Sequence, residues 1–466
     1  MKKLLFALFV LTTFTSFGQT ILASHPLELR KSRNNQQLLN AVNLKKDVFT
    51  FASDKEKLNV LKYSKFLFFQ DSISVNRPDK EYEFMAGYSF ENNGNPCTYW
   101  ASEDFRKLQS ITFDFENRNT KVDNFQLAFT DESILNTFSE NNFFYILTLP
   151  KNDDRLKIYA FRRGQVYEKS IDFSNYKFID SKGKSLAFNQ LIRENGLEMI
   201  DTKAVNPLFQ TVGKSKMFIE GNKMVLTFDS TMQTQIFQVD LNSFSVSEQI
   251  IPQQMLVNSG KSNSYFHQNK LYQIKVNDGE LAVSSVDLAS GNVLKKYYAN
   301  SKDEISFRNS PLLTQTGRQA GREMKTTKKF LQRLSSSEIG ISVYQTPHEL
   351  MLTVGGIRNV NSTGSILLGI TAGAAMVATG TGADVSDMFD AQDLQSTYFE
   401  ALFDDKFEHQ NLEQLPLAVD GISQFLAENN FSLQSVFPFE NYYIVNYYDA
   451  KKKELVMRRF EDASDF

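Results

Sequence analysis

Apolar and polar positions alternate along this chain in short blocks, and between Met217 and Tyr298 one block occurs twice. The first copy runs Gly221-Asn222-Lys223-Met224-Val225-Leu226, a polar turn, then Ile236 to Leu241. The second runs Gln268-Asn269-Lys270-Leu271-Tyr272-Gln273, a polar turn, then Ala282 to Leu288. Asn222 and Asn269 lie 47 residues apart, as do Val239 and Val286. A self-match of fixed length near this period is the mark of a propeller blade, one small antiparallel sheet per repeat.

The same strand, polar turn, strand pattern recurs five more times. It is read at Val48–Phe51 with Leu58–Tyr63, at Tyr82–Phe90 with Thr98–Trp100, and at Phe143–Leu149 with Leu156–Phe161. It returns at Glu349–Val354 with Ser396–Phe403, split by an insertion over 357–394, and at Tyr442–Tyr448 with Leu455–Phe460. Each run is rich in β-branched and aromatic residues and bounded by Asn, Asp or Gly. The pattern therefore predicts an all-β fold, a β-propeller of seven blades of four antiparallel strands, held as one domain over 19–466. Three runs with helical spacing, Phe188–Glu194, Lys328–Leu334 and Ile422–Glu428, each precede a strand. They are expected as caps on the outer rim or on one face of the ring. The last hairpin ends near Phe460, too early for its own fourth strand. Ile21–Leu29 is the segment expected to complete that blade, because an unpaired sheet edge is a liability.

Residues 1–18 have the form of a signal peptide: Lys2 and Lys3, an apolar run from Leu4 to Leu11, and small residues Ser16 and Gly18 before Gln19. The expected location is periplasmic or secreted. No Cys follows the cut, so a lipoprotein is not expected. Without Lys2 and Lys3 the formal charge of −3 becomes −5, which gives no case for nucleic acid. Cys97 is the one cysteine, so no internal disulfide can form and packing must supply the stability.

Chemistry is sparse. There is no repeated Trp-Asp, no diglycine in every blade (Gly355-Gly356 occurs once), no Asp-box, no His-Glu-x-x-His and no Gly-x-Ser-x-Gly. No cofactor or metal site is expected, and no catalytic residue is assigned. Asp384, Asp387, Asp390 and Asp393 recur every third residue, but without the ligand alternation of a calcium loop they read as a solvated face. Asp404-Asp405 with Glu400 is the best carboxylate cluster, and such pairs are mostly turn residues. His267 and His348 sit at hairpin ends, where their role reads as structural.

Two features point to interaction. Ser365–Thr379 is apolar and uncharged, with Ile366, Leu367, Leu368, Ile370, Met376 and Val377 as its contact candidates. It reads as a flexible hairpin tip, as one folded against its own blade, or as a contact with a partner or a membrane surface. Arg318, Arg322, Lys325, Lys329 and Arg333 would form one basic stripe if the segment were a single helix. The resulting expectation is an exported, non-enzymatic propeller that serves as a protein-interaction or assembly platform at the bacterial cell envelope, with another envelope or secreted protein as partner. The alternative is a carbohydrate-active or other hydrolytic enzyme with acidic residues in the propeller channel.

Overall fold

The computed structural model describes residues 20–30, 36–129, 131–180, 183–317, 319–359, 394–429 and 431–463. The chain is an all-β protein with the β-propeller fold: the described residues build seven sheets of four or five strands. It divides into two compact units, Met1–Arg77 with Leu415–Phe466, and Pro78–Gln414.

The first unit opens with β1 (Thr20–Pro26), followed by a meander of β2 (Gln37–Val42), β3 (Val48–Ser53), β4 (Lys57–Tyr63) and β5 (Phe69–Asn76). The second unit holds two similar meanders. One is β6 (Phe84–Phe90), β7 (Pro96–Ala101), β8 (Lys107–Asp114) and β9 (Asn119–Gln126). The other is β10 (Glu132–Glu140), β11 (Phe143–Pro150), β12 (Arg155–Arg162) and β13 (Gln165–Asp172). A short ribbon of β14 (Phe178–Ile179) and β15 (Ser185–Leu186), then α1 (Phe188–Asn195), β16 (Glu198–Ile200) and α2 (Leu208–Thr211), leads into the next sheet. That sheet comprises β17 (Ser215–Glu220), β18 (Lys223–Asp229), β19 (Gln233–Asp240) and β20 (Val246–Pro252), with β16 added to its β17 edge. A further meander is β21 (Lys261–His267), β22 (Lys270–Val276), β23 (Glu280–Asp287) and β24 (Val293–Asn300).

The last sheet of this unit takes its outer strands from upstream. β25 (Leu313–Thr316) and β26 (Arg322–Glu323) precede α3 (Thr327–Ser335), yet β25 pairs with β29 (Leu394–Phe403), beyond β27 (Glu338–Gln345) and β28 (Leu350–Asn359). The first unit closes in the same way. After α4 (Ala418–Glu428) come β30 (Gln434–Phe439), β31 (Tyr442–Asp449) and β32 (Glu454–Phe460), and β1 pairs antiparallel with β32 from Thr20↔Arg459 to Pro26↔Glu454. The N-terminal strand thus completes the final sheet, as the short last hairpin required.

Six of the seven hairpins read from the sequence are the second and third strands of their sheets; the one read at Tyr82–Phe90 with Thr98–Trp100 is instead the first and second strands, β6 and β7. These strands are largely covered on both faces, so they are rich in apolar residues; β3 and β7 are buried at every position. Apolar clusters fill the spaces between successive sheets. One lies between β6–β9 and β10–β13, where Tyr99 stacks on Phe144 at 4.8 Å. Another lies between β10–β13 and β16–β20.

The helical insertions pack one face inward. α1 buries Phe188, Leu191 and Ile192, with Phe188 stacked on Phe173 at 4.2 Å, and α3 buries Phe330, Leu331 and Leu334 in another cluster. One expectation is corrected: the single basic helix does not form. Arg322 belongs to β26, Lys325 lies in the connection, and only Lys329 and Arg333 sit on α3, whose N-cap Thr326 starts it too late for a longer stripe.

Candidate functional site

The second unit carries an unexpected feature at the inner edges of its sheets. In a propeller the first strand of each blade faces the axis. Here residues 197–213 run along four of those first strands. β16 pairs in parallel with β17, Glu198↔Lys216 to Ile200↔Phe218. Asn136 on β10 donates Nδ2–H to the Leu197 carbonyl (3.0 Å). Asn206 Nδ2 donates to Tyr265 Oη on β21 (3.0 Å), and Ser342 Oγ on β27 donates to the Asn206 carbonyl (2.6 Å). Asn263 Nδ2, again on β21, donates to the Val212 carbonyl (3.0 Å).

The segment sits so close that glycine is required against it. A methyl group at Gly340 would lie 2.9 Å from Thr211 Oγ1, and one at Gly355 would lie 2.8 Å from Leu208 Cδ1. Within the single diglycine, a methyl at Gly355 would also collide with the Thr397 carbonyl on β29, and one at Gly356 would lie 2.8 Å from the Glu338 carbonyl and 2.9 Å from Leu334 Cδ1, so both glycines answer local packing.

Beside this segment lies an ion pair with no solvent exposure, Lys216 Nζ to Asp229 Oδ2 at 2.9 Å. Lys216 also donates to the Gly213 carbonyl (2.6 Å) and Asn263 Oδ1 (3.1 Å), which uses all three ammonium protons. Asp229 accepts from Ser264 N and Oγ (both 3.1 Å) and from Thr234 Oγ1 (2.7 Å). Burial pushes the Asp229 carboxyl up, but the Lys216 charge and these hydrogen bonds override it and hold the pKa below the ordinary value. Neighbouring Lys214 is drawn down to about 8, chiefly by burial.

A second charged group gathers where β10 ends. Glu140 is raised by burial against the opposing pull of Lys203, whose Nζ lies 3.7 Å away. Asp201, just past β16, is raised by burial although it accepts from the Lys203 backbone N–H. Tyr88 is raised first by burial and then by the charges of Glu140 and Asp201, so the three groups feel one another. On the strand itself Glu198 is pushed up to about 7 by burial, opposed by Lys216. Perturbed carboxyls of this kind serve acid–base chemistry in some proteins and are structural in others. The sequence held no signal for them: they come from separate elements and share no spacing.

The sequence candidates are scattered. Asp404 accepts from the backbone N–H groups of Lys406 (2.9 Å) and Glu408 (2.8 Å), so it is a turn residue, and the Asp405 carbonyl accepts from Lys270 Nζ. Arg333 donates to Thr314 Oγ1 (3.2 Å). Arg318, the contact candidates Ile366 to Val377 and Asp384 to Asp393 lie outside the described residues. His267 is buried with no hydrogen-bond partner on either ring nitrogen, and burial lowers its pKa to about 4. Among the described residues no three His, Cys, Asp or Glu side chains are placed to hold a metal, and no helix is long and apolar enough to cross a membrane.

The surface of the second unit exposes Met232, Met255 and Val257 at 59%, 72% and 86%. The Gln253 N–H bonds the Met232 carbonyl (2.8 Å), which brings the 253–257 loop against the β18–β19 turn.

No family profile matches the chain, and no curated protein matches it. Among solved structures, a protein from Lactobacillus plantarum is 10% identical, with 70% of this chain and 82% of that chain covered and a TM-score of 0.27. The Dos1 propeller is 7% identical, with 90% and 77% covered and a TM-score of 0.26. The WD40 domain of SCAP from fission yeast is 10% identical, with 60% and 89% covered and a TM-score of 0.24.

Proposed function

We propose that the protein is an exported, non-catalytic β-propeller that acts as an interaction or assembly platform at the bacterial cell envelope. The observation that supports this most is the occupation of the second unit's inner strand edges by residues 197–213, with their polar groups bonded to the chain itself. A channel-binding enzyme would keep those groups free for substrate. The buried Lys216–Asp229 pair is likewise fully used in holding strands together. The exposed Met232–Met255–Val257 patch suits a protein partner because Met side chains adapt to irregular contacts.

The second reading is a hydrolase, favoured by the raised carboxyls Glu140 and Asp201 beside Tyr88. One experiment separates the two. A photo-crosslinking residue at Met255, with exposed Lys302 as control position, is introduced into the protein in its native envelope. The platform predicts one discrete adduct from position 255 and none from 302. Absence of an adduct, together with glycan hydrolysis that disappears in Glu140→Gln, would establish the enzyme instead.

A further inference from the structure

The first unit exposes a different kind of surface. Its β4–β5 turn reads Ser64-Lys65-Phe66-Leu67-Phe68-Phe69. Leu67 adopts a left-handed conformation (φ 63°) and is only 3% exposed, so it is the residue the core takes in. Its two neighbours are turned outward as a consequence: Phe66 is 69% exposed and Phe68 72%. The turn is rigid. Leu67 N–H donates to the Ser64 carbonyl (2.8 Å), Ser64 N–H to the Phe68 carbonyl (2.9 Å), and Ser64 Oγ accepts from the Phe66 and Phe68 N–H groups (3.3 Å each).

The β2–β3 turn lies at the same end of the same sheet, because β2 and β4 run in one direction and each ends there. Two strand spacings put the turns roughly 10 Å apart. This second turn is Asn43-Leu44-Lys45-Lys46-Asp47, with Leu44 78% exposed. Asn43 Oδ1 accepts from the Lys45 and Asp47 N–H groups (2.9 Å each), which fixes Leu44 at the tip. Lys45, Lys46 and Lys65 are all exposed beside these tips. The one acid in the two turns, Asp47, is half-buried and accepts from Asn43 Nδ2.

We propose that this end of the first unit docks on an anionic lipid surface. Leu44, Phe66 and Phe68 enter the boundary between headgroups and acyl chains, and Lys45, Lys46 and Lys65 meet the lipid phosphates. Exposed apolar tips surrounded by lysine are what such a surface recognises: the hydrophobic contribution and the charge attraction add. A protein interface fits less well, since Lys is depleted at the centre of such contacts. The site is separate from the Met255 patch, so it stands or falls independently of the platform reading.

The test is sedimentation of the mature chain with vesicles of phosphatidylcholine alone and of phosphatidylcholine with phosphatidylglycerol. Binding is expected to the anionic vesicles only, and to weaken as salt is raised. Phe66→Ala with Phe68→Ala is expected to abolish it. Each Lys→Glu change at 45, 46 or 65 is expected to cost at least about fivefold, the share of one cation near an anionic surface. All five side chains are exposed, so the variants are expected to keep the wild-type melting temperature. The proposal is overturned if neither vesicle binds, if binding is indifferent to lipid charge, or if the Phe variants instead abolish self-association on gel filtration.

Discussion

Replacing His267 by leucine should change the acid limb of stability, with a direction set by the burial of the ring. The ring is 5% exposed, both nitrogens lack partners, and burial lowers its pKa from 6.5 to about 4. Well above pH 6.5 the imidazole is neutral whether the chain is folded or not, so its contribution there does not vary with pH. Between pH 6.5 and 4 the unfolded chain takes up a proton that the folded chain refuses, and stability is lost as pH falls. From pH 7.5 to 4.5 that loss is about 2.5 kcal/mol for this pair of pKa values. Leucine has similar volume and no titration, so the variant escapes it.

Wild-type stability alone would hide the effect. Glu198, with its pKa raised to about 7, works in the opposite sense. It binds its proton more readily in the folded state, so it adds stability as pH falls from 7 towards its unfolded value. Glu140 and Asp201 act in the same direction. The difference between wild type and His267→Leu cancels these contributions, since the carboxyls are common to both proteins. The assay is urea unfolding of the pair at several pH values between 7.5 and 4.5. A difference that widens in favour of leucine by about 2.5 kcal/mol supports the reasoning. A difference that stays constant across the range would refute it and would mean that the ring finds a proton acceptor on folding.

Asp229→Asn leaves the Lys216 ammonium buried without its counter-charge and is expected to cost about 3–5 kcal/mol in urea unfolding, much of it recovered when Lys216→Met is added; a neutral single variant would contradict the fully buried pair. Starting the chain at Gln36 removes β1 and leaves β32 as an open edge, so melting is expected several degrees lower; an unchanged melting temperature would show that the strand contributes no stability.

What the sequence disclosed follows from burial. Strands covered on both faces, such as β18 (KMVLTFD) and β22 (KLYQIKV), are predominantly apolar, with few polar breaks, and were read in every sheet. The outer strands were not. β13 (QVYEKSID) is exposed at seven of its eight positions and β9 (NTKVDNFQ) is nearly as open, so their composition resembles that of loops. The helices α1, α3 and α4 were legible as short amphipathic runs, yet their placement was not, because periodicity shows that a face is buried and not what buries it. Residues 197–213 were opaque for a further reason. Their contacts go to first strands as distant in sequence as Asn136 and Ser342, and nothing local records such a pairing. The same holds for Glu140, Asp201 and Tyr88, which meet only in space.

Non-local pairing also explains where the fold places its buried polar groups. Two sheets take an outer strand from upstream, β1 for β32 and β25 for β29, so neither is complete until distant segments meet. Apolar packing between sheets is not directional, and a strand that slips by one residue turns every side chain to the wrong face. In the first unit, Asn446 on β31 donates to Asn40 Oδ1 (2.7 Å) and Thr50 Oγ1 (3.0 Å), and Thr50 donates to Asn40 (2.8 Å). All three are buried, and the bond spans 406 residues of sequence. These three bonds form in one register only, and although Asn40 Nδ2 and Asn446 Oδ1 stay unpartnered even there, a shifted strand would lose the bonds as well, at about 1–3 kcal/mol for each group newly left buried without a partner. The Lys216–Asp229 pair, with Asn263 and Ser264 from the next sheet, fixes two sheets of the second unit in the same way. A chain with one cysteine has no covalent means of holding its closing sheets in register. Directional bonds inside an otherwise apolar core supply that constraint, which is why these polar residues stand where packing alone would favour leucine or valine.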